Sequence, residues 1–437
     1  MRGPIVGRSG VRTATINNVT ARLHLMLRNS LMAFKLLMPE LYRTIDLSSH
    51  NADIDCEPQG LRHLKVPPDF IHRKWTRHDY LVFEKQQNFI KTLRAKPGLG
   101  KCVRELCWTI TAVPHCEDME WEDVELRREV LEKYSKVEHI KDEYGECSCA
   151  SGELRRLMLA QEPVWQVFHG FVNVLKVDIC WLIKQRPYAL PRSLFPLVTS
   201  IRLSGCMTRE LVECMLVQSA QQLRKLELHN LLQWSNVKPP LPAFTDLDHL
   251  LRYADIEEAP HEPIPGTRRM AGALNPFVGK CVALTSLCIT TVGFVERWLT
   301  ISPWDIRRYA EWAQFIRSVR STLRFFTFKQ GFDRNYYYTP RGSRPGLRNC
   351  PYTPIDKLFN SWILPALLEA PWPRIERMEF TGVGSPIELG CSKRAFPDES
   401  RETLRALLPD GAQLLIEGEP ERDYEDPEED NDGLLYG

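Results

Sequence analysis

The sequence has no long hydrophobic run, no excess of either charge, no regular cysteine framework and no common catalytic signature. Each absence removes a class of protein. The nearest approach to a membrane span, Phe171 to Ile183, is broken by Asn173, Lys176 and Asp178. A span needs roughly 18 uninterrupted apolar residues, so no membrane partner is expected. Lys plus Arg number 57 and Asp plus Glu 56, a balance that argues against a chain built to coat nucleic acid. The 13 cysteines are an odd number, and Cys180 and Cys206 fall inside apolar strand-like runs. With no secretory signal in view, they read as reduced thiols of an intracellular protein, cytoplasmic or nuclear.

The chemistry that is missing is as informative. There is no GxxxxGK[ST] phosphate loop, no HExxH pair, no GxSxG elbow and no GxGxxG fingerprint. The expectation is a protein that is not an enzyme and needs no cofactor. His115, Cys116, Cys147 and Cys149 could supply four nitrogen and sulfur ligands to zinc. They lack the CxxC or HxxxH spacing of such sites, so no metal is expected there. His169, between Phe168 and Gly170, reads as a histidine packed before a strand rather than as a base. Tyr336, Tyr337, Tyr338, Arg341 and Arg344 form an aromatic and basic stretch that could stack bases. No wider basic stripe accompanies it, which favours tyrosines packed on the protein surface over a nucleic-acid site.

Charge is uneven along the chain. The first 39 residues carry six basic residues and no acid, whereas Glu417 to Asp432 holds ten acids and one Arg. The first stretch reads as a basic tail over 1–20 leading into a helix over 21–40, with a mitochondrial transit segment as a minor alternative. The second reads as a disordered acidic tail over 419–437.

What the sequence does have is a recurring pattern: apolar, two residues, apolar, one residue, apolar, two residues, then a small or apolar residue. It occurs at Val172–Cys180, Val198–Cys206, Leu223–Leu231, Leu284–Val292, Leu323–Gly331 and Ile375–Val383. Val103–Thr111 and Tyr42–His50 fit as well. Positions four and six of each unit fall on one face of a short strand, because side chains alternate. Position one packs beneath them. No single unit can bury that face alone, so neighbours must stack. The pattern resembles the strand signature of leucine-rich repeats, LxxLxLxx followed by Asn or Cys.

Val172 to Val198 is 26 residues and Val198 to Leu223 is 25, within the roughly 20–29 of that repeat. Other gaps reach 61 and 69 residues, which requires inserted segments. Two stand out, near 235–276 and near 331–354. Helical spacing follows several strands. Leu211, Val212, Met215 and Leu216 share one face, and Ile306, Tyr309, Trp312, Ala313, Ile316 and Val319 another. Pro303 and Asp305 suit the start of the second of these helices. Ile355 to Leu368 reads as a third. The fold class expected is α/β, an irregular leucine-rich-repeat solenoid over 41–418 with inner parallel strands, outer helices and a short N-terminal helical segment.

Pro39 to Asn51 reads PELYRTIDLSSHN, which resembles the junction in fungal F-box proteins where the last F-box helix gives way to the repeats. Phe89 to Ile110, FIKTLRAKPGLGKCVRELCWTI, is similar to the helix, proline-containing turn and second strand of the same family. The family's opening leucine–proline pair is not among residues 1–20, so the match to the F-box is to its closing helix. The resemblance implies a substrate receptor of an SCF-type ubiquitin ligase, with the ligase adaptor and an unknown protein target as partners. The alternative is a repeat scaffold with no ligase link.

In either case positions three, five and seven would face outward on the strand wall. They include Ser200, Arg202 and Ser204, then Lys225, Glu227 and His229, then Ser286, Cys288 and Thr290. Phe325, Thr327 and Lys329, then Arg377, Glu379 and Thr381 follow. The mixture of both charges suits a protein surface better than a phosphate backbone. The candidate partner-binding residues are Arg202, Lys225, Glu227, His229, Phe325, Lys329, Arg377 and Glu379. Tyr336, Tyr337, Tyr338 and Arg341 are loop candidates. Phe325, Arg202 and Arg377 are the proposed anchors, since aromatic and Arg side chains dominate binding hot spots.

Overall fold

The computed structural model describes residues 37–50, 77–110, 125, 128, 164–181, 191–235, 266–293, 303–332, 358–381, 383 and 396–417. They form an α/β architecture around one sheet of ten strands. The strands are β1 (Thr44–Leu47), β2 (Glu105–Ile110), β3 (Lys176–Trp181), β4 (Ser200–Cys206) and β5 (Lys225–Ser235), then β6 (Gly266–Arg269), β7 (Ser286–Gly293), β8 (Phe325–Phe332), β9 (Arg377–Thr381) and β10 (Gln413–Glu417). Nine of them lie parallel and side by side in chain order. β6, inside the segment read as an insertion, instead pairs antiparallel with the end of β5.

The register explains the repeat. Position four of one unit pairs with position four of the next: Leu106 with Val177, Val177 with Ile201, Ile201 with Leu226, Leu226 with Leu287. These residues are buried, as are the position-six residues Trp108, Ile179, Leu203, Leu228, Ile289, Phe328 and Phe380. Each contributes about 1.5–3 kcal/mol by leaving water. Beneath them lie the position-one residues Val103, Val198, Leu223, Leu284, Leu323 and Ile375, also buried. The backbone at position two extends the ladder by one rung. The N–H groups of Leu175, Thr199, Arg224, Thr285, Arg324 and Glu376 each donate to the carbonyl of the preceding unit at 2.7–2.9 Å.

That ladder corrects the frame of one unit. The sequence pattern places Val172 and Leu175 at positions one and four, but both are exposed, at 39% and 42%. Val174, Val177 and Ile179 are the buried set, two residues further on. Val172 and Leu175 mimic the spacing while the alternation of the strand itself runs through Val177 and Ile179.

Among the described residues five α-helices accompany the sheet: α1 (Arg77–Ala95), α2 (Arg209–Leu216), α3 (Pro303–Val319), α4 (Leu364–Leu368) and α5 (Asp398–Ala406). A helical turn at 37–41 precedes β1. Thr208 caps α2, its hydroxyl accepting from the Leu211 N–H at 3.3 Å. α3 opens on Pro303 with Asp305 in its first turn, where a missing N–H costs nothing and a negative charge meets the positive helix end. α4 is preceded by a wider π-helical turn, Phe359–Ile363. Pro365 can donate no backbone hydrogen bond to that turn.

The buried helix residues join the strand residues in one continuous core. Its two ends are aromatic. Trp165 stacks on Trp181 and Trp108 meets Phe168 edge-on; towards the other end, Phe326 stacks on Trp372 and Phe380 packs on Phe396. Between them β4, α2 and β5 bury chiefly aliphatic side chains.

Two residues at position eight adopt left-handed backbone, Gly205 with φ of 89° and Asn230 with φ of 49°. They flank the register shift between β4 and β5. A Cβ at Gly205 would sit 2.3 Å from the Trp181 carbonyl oxygen, so only glycine fits there. Further along, the Glu311 carboxylate of α3 accepts the backbone N–H groups of Gly272, Leu274 and Asn275. This pins the loop after β6 to the helix. Burial outweighs those hydrogen bonds and pushes the Glu311 carboxyl up to about 7.

Candidate interaction surface

The face of the sheet opposite the helices carries positions three, five and seven. Parallel register lines them up in rows across neighbouring strands, about 4.8 Å apart. The middle row runs Asp46, Cys107, Asp178, Arg202, Glu227, Cys288, Thr327 and Glu379. Beside it runs Thr109, Cys180, Ser204, His229, Thr290, Lys329 and Thr381. Residues as many as 71 positions apart in the chain, such as Cys107 and Asp178, thus become immediate neighbours.

Two charge clusters result. The first spans β3 to β5. Arg202 Nη1 lies 3.3 Å from Asp178 Oδ2, and its Nε lies 3.7 Å from Glu227 Oε2. Glu227 also meets Lys225 Nζ at 2.6 Å and His229 Nε2 at 3.5 Å. Burial by itself would raise Glu227. Its bonds to His229 and Lys225 and their charges outweigh that and bring the carboxyl down to about 2. Asp178 follows the same logic. Burial works upward, but the His50 hydrogen bond and the charges of His50 and Arg202 hold it below the usual carboxylate range.

The second cluster spans β8 and β9. Glu379 meets Lys329 Nζ at 3.0 Å and Arg377 Nη2 at 2.9 Å. Against the push of burial, these two cations lower its carboxyl. Phe325, in register with Arg377, is 40% exposed. The guanidinium of Arg324 lies 5.6 Å from its ring centroid.

Seven of the eight sequence-predicted strand residues therefore enter ion pairs, in two groups: Arg202, Lys225, Glu227 and His229 in one, Lys329, Arg377 and Glu379 in the other, with Phe325 beside the second. Tyr336, Tyr337, Tyr338 and Arg341 lie outside the described residues, as do His115, Cys116, Cys147 and Cys149. His169 is exposed at the end of a helical turn over 164–169, not packed as the sequence suggested; Trp165, Val167 and Phe168 take the buried side of that turn.

Sequence reasoning missed His50 and Cys107 as members of this face, and Asp178 with them. His50 follows β1. Its Nδ1 lies 2.7 Å from Thr109 Oγ1 and its Nε2 3.0 Å from Asp178 Oδ1, with Cys107 Sγ at 3.9 Å from the same nitrogen. The corrected frame of β3 would have put Asp178 at position five, in line with Arg202 and Glu227. Burial, with the nearby Asp178 charge, pushes the Cys107 thiol up to about 12. It is therefore a poor nucleophile at neutral pH. Cys102, Cys107, Cys180, Cys214, Cys281 and Cys288 are free thiols.

No helix among the described residues is long and apolar enough to cross a membrane. No family model, no curated protein and no solved structure matches the chain.

Proposed function

We propose that this chain is an irregular leucine-rich-repeat protein whose exposed strand face holds a protein partner, in the manner of an F-box substrate receptor of an SCF-type ubiquitin ligase. The observation that carries the reading is the run of nine parallel strands paired in chain order, each presenting the same three outward positions. That geometry converts a linear repeat into a broad surface of fixed side-chain rows. The mixed charges along it, with one exposed aromatic in Phe325, are the composition of a protein-binding patch. A non-enzymatic role fits the same surface, because Asp178, Glu227 and Glu379 are each engaged by cations.

The family part of the reading rests on the segment after the helical turn at 37–41. Tyr42 stacks on Phe89, with ring centroids 6.2 Å apart, and β1 follows at once as the first strand of the sheet. α1, the 3-10 turn Pro97–Cys102 and β2 then follow in the order that the resemblance implies. A cytoplasmic or nuclear location is part of the proposal.

The test is binding of purified SCF adaptor to the full-length chain, beside a version extended upstream in its gene. Binding by either form supports the receptor role. Failure of both removes the ligase link and leaves a repeat scaffold with a protein partner on the same face.

A further inference from the structure

We propose that His50, Cys107 and Asp178 form a binding site for one divalent cation of the zinc class. The three residues come from the segment after β1, from β2 and from β3, and the parallel register brings them together. His50 Nε2 lies 3.0 Å from Asp178 Oδ1 and 3.9 Å from Cys107 Sγ, and all three ligand atoms lie within 4.8 Å of one another. Tetrahedral zinc, with bonds near 2.0 Å to nitrogen and 2.3 Å to sulfur, sets its ligand atoms about 3.3–3.5 Å apart. The observed separations bracket that value, so small side-chain rotations close the site.

The ligand set selects the ion. A thiolate, an imidazole and a carboxylate suit zinc, whereas magnesium and calcium prefer oxygen alone. As the sulfur–metal bond forms, the thiol proton leaves to solvent. Thiolate and carboxylate then balance the two positive charges, with the imidazole neutral. Three protein ligands leave a fourth position for water or an incoming group.

Two of the ligands are already held from behind. Thr109 Oγ1 meets the far nitrogen of His50 at 2.7 Å and is itself fixed by the Ser49 N–H at 2.8 Å. Arg202 takes the other oxygen of Asp178 at 3.3 Å, leaving Oδ1 turned to the site. Such outer contacts orient metal ligands. The same three residues do not form a nucleophilic triad. There the acid must hold the imidazole nitrogen opposite the thiol, whereas here Asp178 and Cys107 approach the same nitrogen. The site lies on the partner-binding face but does not depend on that role.

The experiment is titration of the full-length, chelator-stripped chain with Co2+, read by thiolate-to-cobalt charge-transfer absorbance, followed by displacement with Zn2+. One equivalent is expected. Cys107→Ser should abolish the band, and His50→Ala should lower the affinity by more than about tenfold. Thr109→Val, which keeps all three ligands, should weaken it by about 10–100-fold. A Cys116→Ser, Cys147→Ser, Cys149→Ser triple variant should leave the band unchanged. Absence of the band in the unmodified chain would overturn the proposal, whatever the variants do. So would a band that survives Cys107→Ser or vanishes in the triple variant.

Discussion

The two charge clusters on the exposed face are built from equivalent strand positions and differ in their surroundings. Around Asp178, the His50 segment folds over the strand ends, so the side chains of His50 and Asp178 are only 7% and 12% exposed. Around Glu379, the partners Lys329 and Arg377 remain 37% and 48% exposed. The repeat supplies the same geometry in both places. The neighbouring segment decides whether that geometry becomes a fixed polar network or an open patch. The first cluster is expected to contribute to stability, the second to binding.

The largest test of that difference is Asp178→Ala. It strips the anion from His50 and leaves the half-buried Arg202 only its longer contact to Glu227, at 3.7 Å. Chemical denaturation should show a loss of about 3 kcal/mol. Glu379→Ala, with its partners open to water, should cost less than about 1 kcal/mol. Equal losses would erase the distinction.

Glu311 gives a contrast from the helix side of the sheet. Its carboxyl is raised from 4.5 to about 7 in the folded chain, so the folded state binds more protons than the unfolded state between those values. Stability should therefore be highest below about pH 4.5 for this group, fall as pH rises towards 7 and level off beyond. The fall is up to about 3 kcal/mol, and Glu311→Ala should remove that slope.

Glu227 should behave in the opposite sense. Its carboxyl is lowered from 4.5 to about 2, so its contribution is complete above pH 4.5 and is lost as pH falls towards 2. After allowance for solvent screening, about 1–2 kcal/mol is at stake. Glu227→Gln should flatten the acid limb of a pH–stability curve.

The smallest effects on stability belong to the open patch. Phe325→Ala and Arg377→Ala should each change folding stability by about 0.5 kcal/mol or less, measured by the same denaturation.

The fold was legible where position one was apolar. Val103, Val198, Leu223, Leu284, Leu323 and Ile375 each mark a strand that the structure contains. β10 escaped because Gly411, at φ of 83°, occupies that position. The polar sequence of β6, Gly-Thr-Arg-Arg, carries no alternation to read; its pairing comes from the tertiary fold. β3 was found but misframed, and with it Asp178 was lost. His50 could not be assigned, since its role depends on Thr109 and Asp178, 59 and 128 residues away. Rows across parallel strands are set by register, which a repeat pattern predicts only when each frame is right.

The most direct test of the central claim compares the interaction partners captured from cells by the full-length chain with those captured by a Phe325→Ala, Arg377→Glu double variant. A second variant, Arg405→Glu on exposed α5, serves as the control on the helix side. The account predicts a defined partner lost from the double variant, retained by the control, and then shown to bind the purified chain directly. A partner set unchanged by the double variant would contradict the assignment of the strand face as the binding surface.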